Sequence, residues 1–188
     1  GSSKFSHLEK DPRQVILFTG YPFSKEYNDD RGHMNAVQDV NAIKRITEKS
    51  PATCYSCKSS NNPALWAKMG MESYDAMLFS EMKPNIQNSI GCANCHEAGT
   101  MRLIVTNPAL ENALKAQGKD WTTFTRQEMR TVVCANCHVE YYMVGEKTVL
   151  HFPWDKGTRI DQILAYYDEL FANGTFKSDW EYPEAKTQ

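Results

Sequence analysis

Cys92-Ala93-Asn94-Cys95-His96 and Cys134-Ala135-Asn136-Cys137-His138 repeat one pattern: a pair of thiols separated by two residues, with an imidazole directly after the second. That spacing lets both sulfurs add to the vinyl groups on one porphyrin edge while the adjacent histidine swings beneath the ring, the attachment pattern of a c-type haem. Cys54-Tyr55-Ser56-Cys57 is a third pair of the same spacing, so all six cysteines fall in three identical pairs. Three disulfides would also use an even count, but a disulfide framework rarely consists of CxxC pairs alone. Zinc ribbons place their pairs about 15–20 residues apart, much closer than Cys57 is to Cys92 or Cys95 to Cys134. Neither alternative accounts for the two histidines.

The first pair is followed by Lys58, where the other two have histidine. One reading is a decayed motif or a small redox CxxC. The other is a haem whose iron takes the lysine amine as its proximal ligand. A free lysine is protonated at neutral pH, with an ordinary pKa of about 10.4, and must lose that proton to bind iron; burial and the metal's charge both favour the loss. An amine donates to iron without accepting electron density back, which suits an iron that reacts more than one that only relays electrons.

The remainder of the chain limits what can be built around these motifs. Its 188 residues are expected to form a single unit, and 21 basic against 23 acidic residues leave a formal charge of −2. That balance excludes the basic stripe of a nucleic-acid surface. No apolar run approaches the roughly 20 residues needed to cross a bilayer. The chain opens Gly1-Ser2-Ser3 with no secretory leader, as expected of a processed, tagged or truncated product. With 41% hydrophobic residues, the interior is expected to include the porphyrins, and the haem-free chain to be unfolded or nearly so.

Hydrophobic spacing predicts a helix over 33–49 on the stripe Val37, Val40, Ile43 and Ile46, a short helix from Pro63 to Met69, and one opened by Asn107-Pro108 that ends near Gly118. Thr125-Arg126-Gln127-Glu128 fits a capping box at the start of the helix leading into the third motif. Tyr142 to Val144 and Thr148 to Leu150 read as one small hairpin. Thr158 is the expected cap of a last helix bearing Ile160, Ile163, Leu164, Tyr167 and Phe171, a stripe read as core. The fold class is therefore mainly α with long loops and little β, wrapped around porphyrins.

Cys54-Tyr-Ser-Cys-Lys58 resembles the lysine-ligated active-site motif of the cytochrome c nitrite reductase family, pentahaem enzymes that reduce nitrite to ammonium. Gly20-Tyr21-Pro22-Phe23-Ser24, Arg31-Gly32-His33, Asp39-Val40, Cys134 through Tyr142 and Phe152-Pro153-Trp154-Asp155 match segments of that family in the same order. The resemblance runs from about residue 15 to about 180 and covers the N-terminal half or so of a family member. It implies a multihaem cytochrome c fold in which 1–188 is a single haem-c-binding unit, the N-terminal part of a larger catalytic chain.

The site that the resemblance implies follows residue by residue. Haem c attaches at Cys54, Cys57, Cys92, Cys95, Cys134 and Cys137, three in this chain and more in the full protein. Lys58, His96 and His138 are the proximal iron ligands, and His33 is a distal ligand, assigned to the third-motif haem. His7 and His151 have no assigned role, and the distal ligand of the second-motif haem is expected from sequence beyond this chain. Arg45 would hold nitrite and stabilise charge as N–O bonds break; otherwise it is a solvated arginine on an amphipathic helix. Tyr141 would donate a hydrogen bond or proton from a position close to the third haem, with Tyr142 as packing. Glu140 and the Tyr141 carbonyl would bind Ca²⁺, a hard cation suited to oxygen ligands, and Lys186-Thr187-Gln188 looks like the start of the segment that completes that site.

The expected partners are nitrite, a membrane quinol-oxidising multihaem cytochrome as electron donor, and a second copy in a homodimer, in the periplasm where haem c is attached. A multihaem electron carrier without catalysis, and an octahaem relative that also uses a lysine haem, are the alternatives.

Overall fold

The computed structural model describes residues 5–175. Short helices joined by long loops make up nearly all of it. In chain order they are α1 (His7–Lys10), α2 (Gln14–Leu17), α3 (Ala36–Asn41), α4 (Asn62–Met69), α5 (Met71–Asp75), α6 (Phe79–Met82), α7 (Pro108–Ala116), α8 (Arg126–Val132) and α9 (Ile160–Ala172). Strands β1 (Tyr142–Val144) and β2 (Val149–His151) pair antiparallel, with Tyr142 opposite His151. Each cysteine pair sits in or beside a tight 3-10 turn: Ala52–Tyr55, Cys92–Asn94 and Val133–Asn136.

Local chemistry accounts for several boundaries. Asn107 caps α7 by accepting from the Ala109 N–H at 2.9 Å, and Pro108 fills a first-turn position whose N–H would otherwise lack a partner. Thr125 and Glu128 form the expected capping box on α8: the threonine hydroxyl accepts from the Glu128 N–H and the glutamate accepts from the Thr125 N–H.

Four expectations need correction. The helix predicted over 33–49 is a 3-10 turn, His33–Asn35, followed by α3, which stops at Asn41. The second hairpin strand begins one residue later than predicted, because Thr148 adopts a left-handed φ of 49° in the turn. The last helix is not capped by Thr158: Arg159 is the cap position, and its N–H donates to the Gln162 side chain. Its stripe is not core among the described residues either, since Ile160 is 87% and Leu164 58% exposed.

Two apolar clusters carry the packing. One surrounds the first cysteine pair, where Tyr55 stacks on Phe79 at 4.2 Å and Met82 and Tyr74 are fully buried. The other gathers Leu110 and Leu114 of α7, Met129 of α8, and Leu150 and Phe152. Polar bonds join the hairpin to the first cluster. Asp75 at the end of α5 accepts from the Leu150 N–H at 2.9 Å, the Thr148 hydroxyl donates to the Asp75 carbonyl at 3.1 Å, and the Thr53 hydroxyl donates to the Thr148 carbonyl at 2.9 Å. This docking carries residues 140–142 over to the first cysteine pair.

Candidate haem and substrate site

No two of the six cysteines are joined as a disulfide. Among the described residues, no group of three or more His, Cys, Asp or Glu side chains converges as a metal cage would require. The disulfide and zinc readings therefore have no geometry behind them.

The first and third motifs face a common cleft of 330 Å³ whose walls include Cys57, Lys58, Cys137, His138 and His33. Cys57 and Cys137 lie in the wall of this cleft and perturb each other, the pKa of Cys57 being lowered by its neighbour and that of Cys137 raised by its neighbour and by burial. The half-buried Lys58 faces Cys54, Cys57 and Cys137 electrostatically. Its ammonium makes no ion pair or hydrogen bond among the described residues. The imidazoles of His33 and His138 lie with ring centroids 6.2 Å apart. Two imidazoles bound end-on to opposite sides of one metal at about 2.1 Å each place their centroids about 6.5 Å apart, so the spacing of this pair is close to that of a shared iron.

His33 is held there by the chain around it. Gly32 supplies a φ of +82° before the 3-10 turn, a left-handed value that glycine adopts without a Cβ penalty. The Arg31 guanidinium binds the Asp39 carboxylate at 2.5 and 2.9 Å and the Gln38 side chain at 2.8 Å. That ion pair, with 14% and 18% side-chain exposure, clamps the turn to α3.

The second motif borders a separate cavity of 780 Å³ that includes His96 in its wall. Both cavities lie in the range of about 300–1,000 Å³ usual for small-molecule and cofactor sites. His96 Nδ1 is 2.7 Å from the Met101 carbonyl. A metal-bound histidine usually commits its other ring nitrogen in this way, which fixes ring orientation; Nε2 is then the nitrogen left for a metal. Thiol pairs, an engaged imidazole and mostly apolar clefts together fit covalently attached porphyrin.

Arg45 and Tyr141 converge on the first pair despite their separation in sequence. Arg45 lies on the turn beyond α3 rather than on an amphipathic helix, with its guanidinium 4.6 Å from the centre of the Phe23 ring. Its charge is felt at both Cys54 and Tyr141. Tyr141, 50% exposed, has its phenol raised by desolvation and by the neighbouring Cys57 and Cys54, with Arg45 opposing. It was expected close to the third haem, but these neighbours set it beside the first pair as well. Tyr142 packs as expected, bonded to the Tyr166 hydroxyl at 2.5 Å. The Glu140 carboxylate accepts from the Tyr167 hydroxyl at 3.2 Å; Lys186-Thr187-Gln188 lies outside the described residues. His7 binds Asp29 at 2.6 Å, and His151 stacks on Tyr142 at 5.6 Å.

Four buried asparagines, whose cross-chain bonds the sequence did not reveal, hold the motifs in register. Asn62 donates to the Tyr55 and Ser56 carbonyls of the first pair at 2.8 and 3.0 Å and accepts from the Tyr74 hydroxyl. Asn94, inside the second motif, donates to the Ser59 carbonyl next to Lys58 at 2.9 Å. Asn136, inside the third, donates to the Val133 carbonyl at 3.0 Å and reaches the Asn94 carbonyl at 3.4 Å. Asn107 donates to the Asn136 carbonyl at 2.7 Å. The recurrence of Ala-Asn between both Cys-x-x-Cys-His pairs was the available signal.

The family model described as cytochrome c552 matches residues 1–188. Cytochrome c-552 of Parabacteroides distasonis is 45% identical over 185 residues, covering 94% of this chain and 37% of that protein. Its counterpart from Bacteroides thetaiotaomicron is 44% identical over 176 residues, covering 90% and 36%. Among solved structures, a cytochrome c nitrite reductase from Desulfovibrio desulfuricans, described as a catalytic subunit with two calcium sites, superimposes with a TM-score of 0.74 at 38% identity, over 82% of this chain and 36% of its own. The chain thus spans little more than a third of the length of these relatives.

Proposed function

Because this chain belongs to the cytochrome c552 family, we propose that it is the N-terminal, haem-bearing unit of a nitrite reductase that converts nitrite to ammonium at the site built on Cys54, Cys57 and Lys58. The observation that carries this reading is Lys58 standing where the other two motifs have histidine, with the Arg45 charge and the Tyr141 phenol in electrostatic reach of the first cysteine pair. Electron relay alone does not call for a lysine in place of histidine, nor for a cation and a phenol gathered beside it.

Haem c, when bound, supplies an iron that stores and passes single electrons and, where one axial face is open, a place for an anion to bind. The residues of this chain divide the remaining work. Lys58 would hold the iron of the haem attached at Cys54 and Cys57 through its side-chain amine. Arg45, steadied over Phe23, attracts the anion and stabilises negative charge as oxygen is lost. Tyr141, whose raised pKa keeps it protonated at neutral pH, donates a hydrogen bond or proton.

His96 would hold the iron of a haem attached at Cys92 and Cys95, and His138 and His33 would hold the iron of one attached at Cys134 and Cys137. The presence of Cys57 and Cys137 in the wall of one cleft supports passage of electrons between the third and first motifs. Glu140 and the Tyr141 carbonyl hold Ca²⁺, a reading supported by the calcium sites of the Desulfovibrio desulfuricans enzyme. Residues 1–188 act as one unit of a larger periplasmic chain that forms a homodimer and is reduced by a membrane quinol-oxidising cytochrome. Among the described residues, no helix is long and apolar enough to cross a membrane.

Optical and EPR spectra of the haem-loaded full-length protein test the reading. A high-spin component that shifts on adding nitrite or cyanide, and that changes in Lys58→His, is expected. If every iron is six-coordinate, low-spin and silent toward both anions, the protein is an electron carrier.

A further inference from the structure

The cavity of the second motif has two kinds of wall. Leu103, Ile104, Trp121, Phe124 and Met129 give it an apolar face, and the exposed Arg102, Arg126 and Arg130 line the same space. Arg126 and Arg130 stand four residues apart on α8 and so share a face of that helix. Among the described residues none of the three forms an ion pair. Arg130 reaches only the neutral Gln127 side chain, at 3.5 Å. The one acidic residue in the wall, Glu97, already accepts from the Gly99 N–H and from the N–H and hydroxyl of Thr100. Three cations facing one engaged carboxylate leave a local positive excess beside an apolar wall, in a space far larger than the voids of a packed interior.

The occupant such a site favours is a flat apolar body with paired anionic groups on one edge. A guanidinium is the side chain best matched to carboxylate, through two parallel N–H donors. We propose that Arg102, Arg126 and Arg130 bind the propionate carboxylates of the haem attached at Cys92 and Cys95. The inference rests on haem attachment at that motif and is independent of whether the first motif reduces nitrite. The loop that positions His96 carries Arg102, and the helix leading to the third motif carries Arg126 and Arg130, so propionate binding would tie the second and third motifs together from outside. The charges also favour the reduced, less positive state of the second-motif iron.

The test uses the haem-loaded full-length protein, with redox titration followed by EPR and redox-induced infrared difference spectra of the carboxylate region. In Arg126→Leu/Arg130→Leu the midpoint of one histidine-ligated haem should move negative, so that its oxidised-to-reduced ratio at fixed ambient potential rises about 3- to 10-fold per guanidinium lost. The propionate stretching bands should shift with it. Arg126→Lys/Arg130→Lys should restore the midpoint through charge while leaving the bands altered through loss of paired bonding. Lys115→Leu, which removes a surface cation paired with Glu111, should move neither. An unchanged midpoint and unchanged bands in the leucine variant, with haem present at Cys92 and Cys95, overturn the proposal. Absence of haem at that motif by mass overturns it too, and with it the assignment of His96.

Discussion

The side-chain amide of Asn94 donates to the carbonyl of Ser59 at 2.9 Å, linking the middle of the second haem motif to the residue after Lys58. Through Asn136, which reaches the Asn94 carbonyl, the same chain of amides extends to the third motif. Loss of one partner strands a buried carbonyl at a cost of about 1–3 kcal/mol. Asn94→Ala should therefore lower the stability of the haem-loaded protein by about that amount and alter the spectrum of the first-motif iron. A melting midpoint within error of the parent would show the bond to be dispensable.

Arg45 acts electrostatically on Cys54 and Tyr141 and is the cation proposed to hold the anion. Removing one preorganised donor to developing charge typically costs about 10²–10³ in rate. Arg45→Ala should lose nitrite turnover in that range with haem content intact, and Arg45→Lys should retain more. Steady-state kinetics with a chemical reductant would decide it, and equal rates in all three proteins would remove Arg45 from the site.

Gly32 has a φ of +82°, and a Cβ added to it would meet nothing within 4 Å, so a substituent there meets conformational strain and no clash. Gly32→Ala should cost about 1–2 kcal/mol and loosen His33 from its place opposite His138. The expected signature is a high-spin fraction at the third-motif haem in the EPR spectrum. A wholly low-spin spectrum would separate the turn from iron ligation.

Asp75 is fully buried, with Oδ2 on the Leu150 N–H and, among the described residues, no hydrogen-bond partner for Oδ1, and burial raises its pKa from 3.8 to about 6. The folded state therefore holds this proton more tightly than the unfolded chain does. The contribution is fully present below about pH 4 and is lost as pH rises to about 6, a change of about 3 kcal/mol. Thermal melts across that window should show the decline, and Asp75→Asn should flatten it. A decline of equal size in the variant would assign it to other groups.

The two apolar clusters meet only at the partly buried Met71, and Cys57, Cys137, His33 and His138 line a cleft that belongs to neither. Chain produced without haem attachment should show no cooperative thermal transition by circular dichroism. A native-like melt would refute the view that porphyrin completes the interior.

Much of this site was legible in the sequence because haem attachment is a local matter. Two sulfurs and an imidazole must reach one porphyrin, which their spacing along the chain decides, and Lys58 stands out by breaking the pattern. Capping at Thr125 and Asn107 is likewise decided within one helical turn. The helix expected through residue 49 failed because α3 ends at Asn41 and the chain then turns, and the stripe of α9 failed as core because periodicity reports an apolar face but not what covers it.

Which motifs share a cleft is a different kind of question. Cys57 meets Cys137, His33 meets His138, and Tyr141 comes to the first pair because Asp75 takes the Leu150 N–H and Thr53 reaches Thr148. Those bonds join residues far apart in the chain, so their geometry depends on how every intervening loop folds. Residue types and spacing determined the chemistry this protein can hold; tertiary structure alone decided which groups act on the same space.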